Sequence, residues 1–192
     1  FPRFEDSGYA LTRILGAQIL PSAMEVMDEY CIRAVEEYEP SGLPLDAEAI
    51  LIIEVDGHPA AVEEEAALCE AICREHGASL VRAAATAEEQ AQIWKARRLI
   101  SPAIARLGPT KISEDATVPR GRIPDMMKRL RQIREKYRLN LVVFGHAGDG
   151  NLHPNILTDR RNAEEMARVE KAIEEIFAAA IELGGTLSGE HG

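Results

Sequence analysis

Apolar and polar positions alternate along this chain in two distinct periods, and the switches between them lay out its elements. Ala10, Leu11, Ile14, Leu15 and Ile19 recur three and four apart, which predicts a helix over 4–18 that Pro21 stops. Residues 24–27 (Met-Glu-Val-Met) predict a short strand, and Asp28 can cap a helix running to about Glu37. Pro40, Ser41, Gly42 and Pro44 mark a loop. The β-branched run at 49–55 is the strongest strand signal and ends on the turn pair Asp56-Gly57. Helical spacing returns over 58–76, with Val62, Ala66, Cys69, Ile72 and Cys73 inward and Gly77 as the stop. A short strand is expected at 79–83. A long helix follows over 87–107, interrupted at Pro102, with Ile93, Trp94, Leu99, Ile100 and Ile104 on its inner face.

Residues 111–118 alternate, with Ile112 and Val118 apolar, and read as one strand ending at Pro119. Pro124 suits the first turn of a helix over 123–137, whose apolar stripe is Met126, Met127, Leu130 and Ile133. Its other side carries Lys128, Arg129, Arg131, Arg134, Lys136 and Arg138, a solvated face or a docking patch for another domain. Residues 141–144 form a buried strand, a glycine-rich turn follows, and 152–157 are extended. The helix predicted over 162–183 turns Met166, Val169, Ile173, Ile176, Phe177 and Ile181 inward and ends at Gly184-Gly185. These elements predict an α+β fold: a mainly antiparallel sheet covered by helices, with ferredoxin-like split units as its local logic. Neither a repeat nor a linker divides residues 1–192, which read as one domain.

Composition narrows the function more than the fold. A hydrophobic fraction of 46% and a charged fraction of 28% are those of a soluble globular protein. No apolar run is long enough to span a membrane, and no leader is visible. The net charge of −10 argues against a nucleic-acid partner. It also means that a carboxylate substrate would need local cations. Cys31, Cys69 and Cys73 read as free thiols of a reducing compartment. A chain that opens on Phe1 and stops inside a motif is expected to be a piece of a longer protein.

The candidate chemistry lies in the turn after the 141–144 strand, Gly145-His146-Ala147-Gly148-Asp149-Gly150-Asn151-Leu152-His153-Pro154-Asn155-Ile156. A second polar cluster, Ser188-Gly189-Glu190-His191-Gly192, closes the chain. His146, His153 and Glu190 suit a divalent metal such as Zn²⁺, Mn²⁺ or Fe²⁺. Alternatively, the histidines hydrogen-bond a turn, as Asp149 and Asn151 commonly do. Asn155 lies two residues after His153 on an extended segment, so both point to one face. The glycine spacing is Gly-x-x-Gly-x-Gly with no capped helix after it, which makes a nucleotide cradle a weak reading. Arg97, Arg98 and Lys111 are the cations expected to face the site. Arg97 lies on the apolar side of its helix, where a charge requires either an anionic substrate or a salt bridge to Glu114 or Asp115.

The two histidine motifs resemble those of the C-terminal domain of FAD-linked 2-hydroxyacid oxidases and dehydrogenases, in the vanillyl-alcohol oxidase superfamily. Glycolate oxidase flavoprotein subunits and the D-lactate and D-2-hydroxyglutarate dehydrogenases belong to this type. The segment from Ile19 through Pro21 to Asp28 and the run from Ile112 through Asp115 to Pro119 resemble it too, so the likeness covers essentially the whole chain. It implies a cap domain over a flavin held by an N-terminal FAD domain that lies outside these residues. It also implies oxidation of a small 2-hydroxy acid, of glycolate or D-lactate type, by hydride transfer to FAD. On this resemblance His146, His153 and Glu190 bind a divalent metal, Zn or Mn. His191 is the general base, Arg97 with Ser101 and Lys111 clamps the substrate carboxylate, and Asn155 contacts the substrate. The chain alone would be inactive. Its partners would be the FAD domain and an iron–sulfur subunit or electron-transfer flavoprotein, and its location the cytoplasm, or a membrane reached through partner subunits. Two other readings compete: a stand-alone metal-dependent hydrolase, and a non-catalytic ferredoxin-like binding module.

Overall fold

The computed structural model describes residues 1–190. Helix α1 (Phe4–Gly16) leads into strand β1 (Ala23–Asp28), helix α2 (Glu29–Tyr38) and strand β2 (Ala49–Glu54). Helices α3 (Pro59–Glu75) and α4 (Ala87–Ile104) follow, then strands β3 (Thr110–Ser113) and β4 (Ala116–Thr117). Helix α5 (Ile123–Tyr137), strands β5 (Asn140–His146) and β6 (Asn151–Thr158) and helix α6 (Ala163–Glu182) complete the order. The strands build one sheet in the order β2-β1-β5-β6-β3, with β4 also paired to β6, and every pairing is antiparallel.

Residues facing each other across an antiparallel pair share a side of the sheet, and the side alternates along each strand. Val26, Leu141, Val143, Leu152 and Ile156 therefore face one way, into a core built with α1, α3, α5 and α6. Met27, Ile52, Val142 and Leu157 face the other way and pack with α2 and α4. This second cover is only two helices wide. The same side of the sheet continues past it into Glu25, His146, His153 and Asn155, which are polar.

Local chemistry explains most of the boundaries. Asp28 caps α2 by accepting from the Cys31 N–H at 3.0 Å. Thr86 and Glu89 close a reciprocal capping box on α4, and Asn162 caps α6 through the Glu165 N–H. The predicted stripe of α5 is fully realised, with Met126, Met127, Leu130 and Ile133 all buried. Four expectations need correction. Residues 79–83 form no strand: Leu80 is exposed and no neighbouring edge takes up its backbone. The strand expected over 111–118 is two, broken at Glu114-Asp115 where the Asp115 side chain turns inward. Helix α4 continues through Pro102 to Ile104, ending three residues short of the expected Leu107. Ile181 is 55% exposed, its expected place on α6 being filled by the smaller Ala179 and Ala180.

The cationic side of α5 is only partly a solvated face. Arg134 is buried, ion-paired to Asp28 and Glu29 and stacked over the Tyr30 ring. Arg131 pairs with Glu5 and Glu48. Lys136 bonds Glu175 of α6 at the surface.

Candidate active site

The β5–β6 hairpin does the first part of the assembly. Its turn is a short 3₁₀ segment closed by Gly150, whose φ of +82° requires glycine and whose added Cβ would lie 2.1 Å from the Val118 carbonyl oxygen. The resulting register sets His146 opposite Asn151 and Phe144 opposite His153. All four side chains therefore emerge on the α2/α4 side. The two imidazoles meet edge to face, with ring centroids 5.2 Å apart, and Phe144 lies tilted against His153 at 5.6 Å.

Each imidazole is held by a carboxylate. Strand β1 pairs with β5 so that Glu25 sits opposite His146, and Glu25 Oε1 lies 2.5 Å from His146 Nδ1. Asp115, at the break between β3 and β4, places Oδ1 3.0 Å from His153 Nδ1. A carboxylate facing Nδ1 favours the tautomer with its hydrogen there and makes Nε2 the basic nitrogen. Burial pushes the His153 imidazole below its ordinary pKa, outweighing the raising pull of Asp115. Its uncharged, metal-binding form is thereby favoured.

The segment after α6 brings the third group. The Thr186 N–H donates to the Thr117 carbonyl at 2.9 Å. Gly189 then passes so close to Asn151 that a Cβ would lie 2.5 Å from its Nδ2. The N–H groups of Gly189 and Glu190 both donate to Asp115 Oδ2, at 2.9 and 2.7 Å. Asp115 thus fixes His153 with one oxygen and the approaching segment with the other. Glu190 Oε1 ends 3.7 Å from His146 Nε2. One ligand atom from each of His146, His153 and Glu190 lies within 4.8 Å of the other two. Ligands at about 2.0–2.2 Å from one ion stand at most about 4.4 Å apart. The Glu190–His146 separation of 3.7 Å already lies inside that limit, and two imidazole nitrogens with a carboxylate are a donor set that fits a divalent ion. Charge agrees: Glu25, Asp115 and Glu190 against Arg97 leave two negative charges when both histidines are neutral.

The anion-binding expectations fare unevenly. Arg97 does reach the site from α4: its Nε donates to Glu25 Oε2 at 2.7 Å and its guanidinium lies 4.9 Å above the Phe144 ring. Its counter-ion is therefore Glu25, and neither Glu114 nor Asp115 is the salt-bridge partner. Asn155 is fully buried, donating from Nδ2 to the His153 carbonyl, while its Oδ1 has no hydrogen-bond partner among the described residues. Ser101 is exposed on α4 one turn beyond Arg97, and Lys111 is exposed on β3, opposite Leu157. His191 lies outside the described residues. Glu25 escaped the sequence reading; the available signal was an acid inside a strand whose next two residues are both apolar. Asn151, read as a turn residue, is instead buried on β6 and accepts from Thr117 Oγ1 at 3.0 Å.

The model of the "FAD linked oxidases, C-terminal domain" family matches residues 1–192, and the chain belongs to that family. Among curated proteins it is 46% identical over 192 residues to "Glycolate oxidase subunit GlcD" of Bacillus subtilis (strain 168), covering 100% of this chain and 41% of that protein. Against the GlcD subunit of Escherichia coli (strain K12) the figures are 37% identity, 100% and 38%. The "Probable D-lactate dehydrogenase, mitochondrial" of Danio rerio is 28% identical, over 100% of this chain and 39% of its own length. The chain thus spans about two fifths of the length of these relatives. A solved structure of alkyldihydroxyacetonephosphate synthase shares the fold, with a TM-score of 0.62 at 13% identity over 92% of this chain and 39% of that one. No helix among the described residues is long and apolar enough to cross a membrane.

Proposed function

We infer that this chain is the substrate-binding cap domain of an FAD-dependent dehydrogenase or oxidase that converts a small 2-hydroxy acid, of glycolate or D-lactate type, to the 2-oxo acid. The convergence of His146, His153 and Glu190 beside Arg97 carries the reading. The names of the glycolate oxidase and D-lactate dehydrogenase relatives support the substrate class.

In this reading residues 1–192 are one domain and a separate N-terminal domain would hold FAD, whose chemistry would be to take up the hydride of C2. A divalent ion, Zn or Mn, held by His146, His153 and Glu190, acidifies the substrate hydroxyl when bound. Glu25 and Asp115 hold the two imidazoles in the ligating tautomer. Arg97 bonds Glu25 through Nε, which leaves its two Nη groups to clamp the substrate carboxylate, with Ser101 one turn further along α4 and Lys111 on β3. This clamp fixes where C2 lies and supplies orientation. The buried Asn155 Oδ1 is an acceptor that would take a hydrogen bond from a substrate hydroxyl. His191, two residues after the Gly189 N–H that Asp115 holds, takes the hydroxyl proton. Electrons pass on to an iron–sulfur subunit or an electron-transfer flavoprotein, in the cytoplasm or at a membrane reached through those partners.

The test joins the chain to its flavin domain and follows dye reduction with glycolate, D-lactate and D-2-hydroxyglutarate. Turnover with at least one of them is expected, and none with any 2-hydroxy acid would overturn the reading. Metal analysis runs in parallel. His146→Ala with His153→Ala should abolish stoichiometric metal, and unchanged content would remove the metal site.

A further inference from the structure

Glu25 touches both halves of the site. Its Oε1 faces His146 Nδ1 at 2.5 Å, and its Oε2 accepts from Arg97 Nε at 2.7 Å. The contact joins elements far apart in the chain: β1, the end of β5 and the middle of α4. Glu25 is itself 7% exposed, in a strand paired on both sides, so the carboxylate has little freedom to serve one partner without the other.

We propose that Glu25 is a positioning residue that couples the metal ligand His146 to the anion clamp Arg97, so that seating an ion and orienting a carboxylate are one event. The inference rests on the metal reading above. The chemistry of the pair makes it specific. Both partners are donors, an imidazole N–H and a guanidinium N–H, and only a carboxylate offers each its own oxygen. A glutamine has one acceptor. If its oxygen faces His146, its NH₂ meets Arg97 Nε–H and the guanidinium is turned away. If its NH₂ faces His146, Nδ1 must accept, the ring hydrogen moves to Nε2, and the ligand lone pair is lost. Glu25→Gln therefore keeps shape and must give up one partner. Aspartate keeps both acceptors and is shorter by one methylene. Removing Arg97 instead leaves Glu25 bonded to His146 alone, which changes how that carboxylate is aimed without touching any ligand.

The experiment uses the full-length flavoprotein, stripped of metal and titrated with Zn²⁺. Glu25→Gln should weaken Zn²⁺ by about ten- to hundred-fold, the usual cost of losing a partner behind a ligating histidine. Glu25→Asp should recover part of it. Arg97→Met should weaken Zn²⁺ several-fold in the wild-type background and have no further effect when Glu25 is already glutamine; that non-additivity is the signature of coupling. A purely structural Glu25 would lower thermal stability and leave Zn²⁺ affinity unchanged in folded protein. That result, or full additivity of the two substitutions, overturns the proposal. Failure of the metal reading looks different, because His146→Ala would then also leave Zn²⁺ binding intact. If Glu25→Gln fails to fold, Glu25→Asp and the Arg97→Met titrations carry the test alone.

Discussion

Strand β1 carries two buried carboxylates three residues apart, Glu25 and Asp28, and they end in opposite kinds of environment. Asp28 is saturated: it accepts from the Cys31 N–H at 3.0 Å, the Val143 N–H at 2.9 Å and Arg134 Nη1 at 3.2 Å. Arg134 in turn reaches the Leu141 carbonyl and Glu29 and lies under Tyr30, so the interactions lead back into the frame. From Glu25 the interactions lead outward. They pass through His146 to Glu190 and stop at a 3.7 Å gap, while the buried Asn155 Oδ1 stays without a hydrogen-bond partner among the described residues. Both clusters bury charge on the same strand. The difference is that one sets its charges against each other within the frame, whereas the other brings ligand atoms of His146, His153 and Glu190 within 4.8 Å of one another. A buried ion pair alone does not mark a functional site.

The strongest way to break this comparison is to truncate the closed cluster. Asp28→Ala removes one of the two carboxylates paired with the buried Arg134, together with the α2 cap, and should cost about 3–5 kcal/mol in urea unfolding. The folded fraction should retain its metal affinity, and a variant that lost both would erase the distinction.

The pH dependence of stability sharpens it next. Burial raises the Asp28 carboxyl from 3.8 to about 6, the nearby Arg134 notwithstanding. The native chain then holds a proton in the window between 3.8 and about 6 that the unfolded chain releases, so this group's contribution to stability falls as pH rises through it. Subtracting the Asp28→Asn curve from the wild-type curve should expose a slope of about 1 kcal/mol per pH unit there. A flat difference would mean that Asp28 stays ionised.

On the open side, Asp115→Asn replaces one of two acceptor oxygens with a donor and should weaken Zn²⁺ by about ten-fold, read by competition with a chromophoric chelator. Global stability should change far less than in Asp28→Ala. The smallest effect is expected at Trp94→Phe, which removes the 2.6 Å indole bond to Glu54 beside the site. About 1 kcal/mol of stability should be lost in denaturant unfolding, with no change in Zn²⁺ affinity.

What the sequence made legible follows the range of the interactions. The stripe of α5 and the cap at Asp28 depend on neighbours within one or two turns, and their signals are local. The hairpin is legible too, because Gly150 sits between two extended apolar runs and a short turn fixes their register. That register alone brings His146 and His153 to one side. Glu25 was not legible, since its role depends on β1 pairing with β5 more than a hundred residues later. A one-residue slip there would turn it to the opposite face. Arg97 was read as a charge in need of a reason, and the reason proved to be that same unreadable acid. The absent strand at 79–83 is the converse case, an apolar pattern with no edge to join.

The segment that carries Glu190 is exposed over residues 186–190 and is tied down by backbone N–H hydrogen bonds to the Thr117 carbonyl and the Asp115 carboxylate. The histidines instead sit on central strands of the sheet. Opening this latch therefore requires far less disruption than unfolding, so the two should run on separate clocks. Amide exchange at Gly189 and Glu190 should be orders of magnitude faster than at Val143. An ion held there would leave through the latch, at a rate set by its local opening and insensitive to the stability of the sheet.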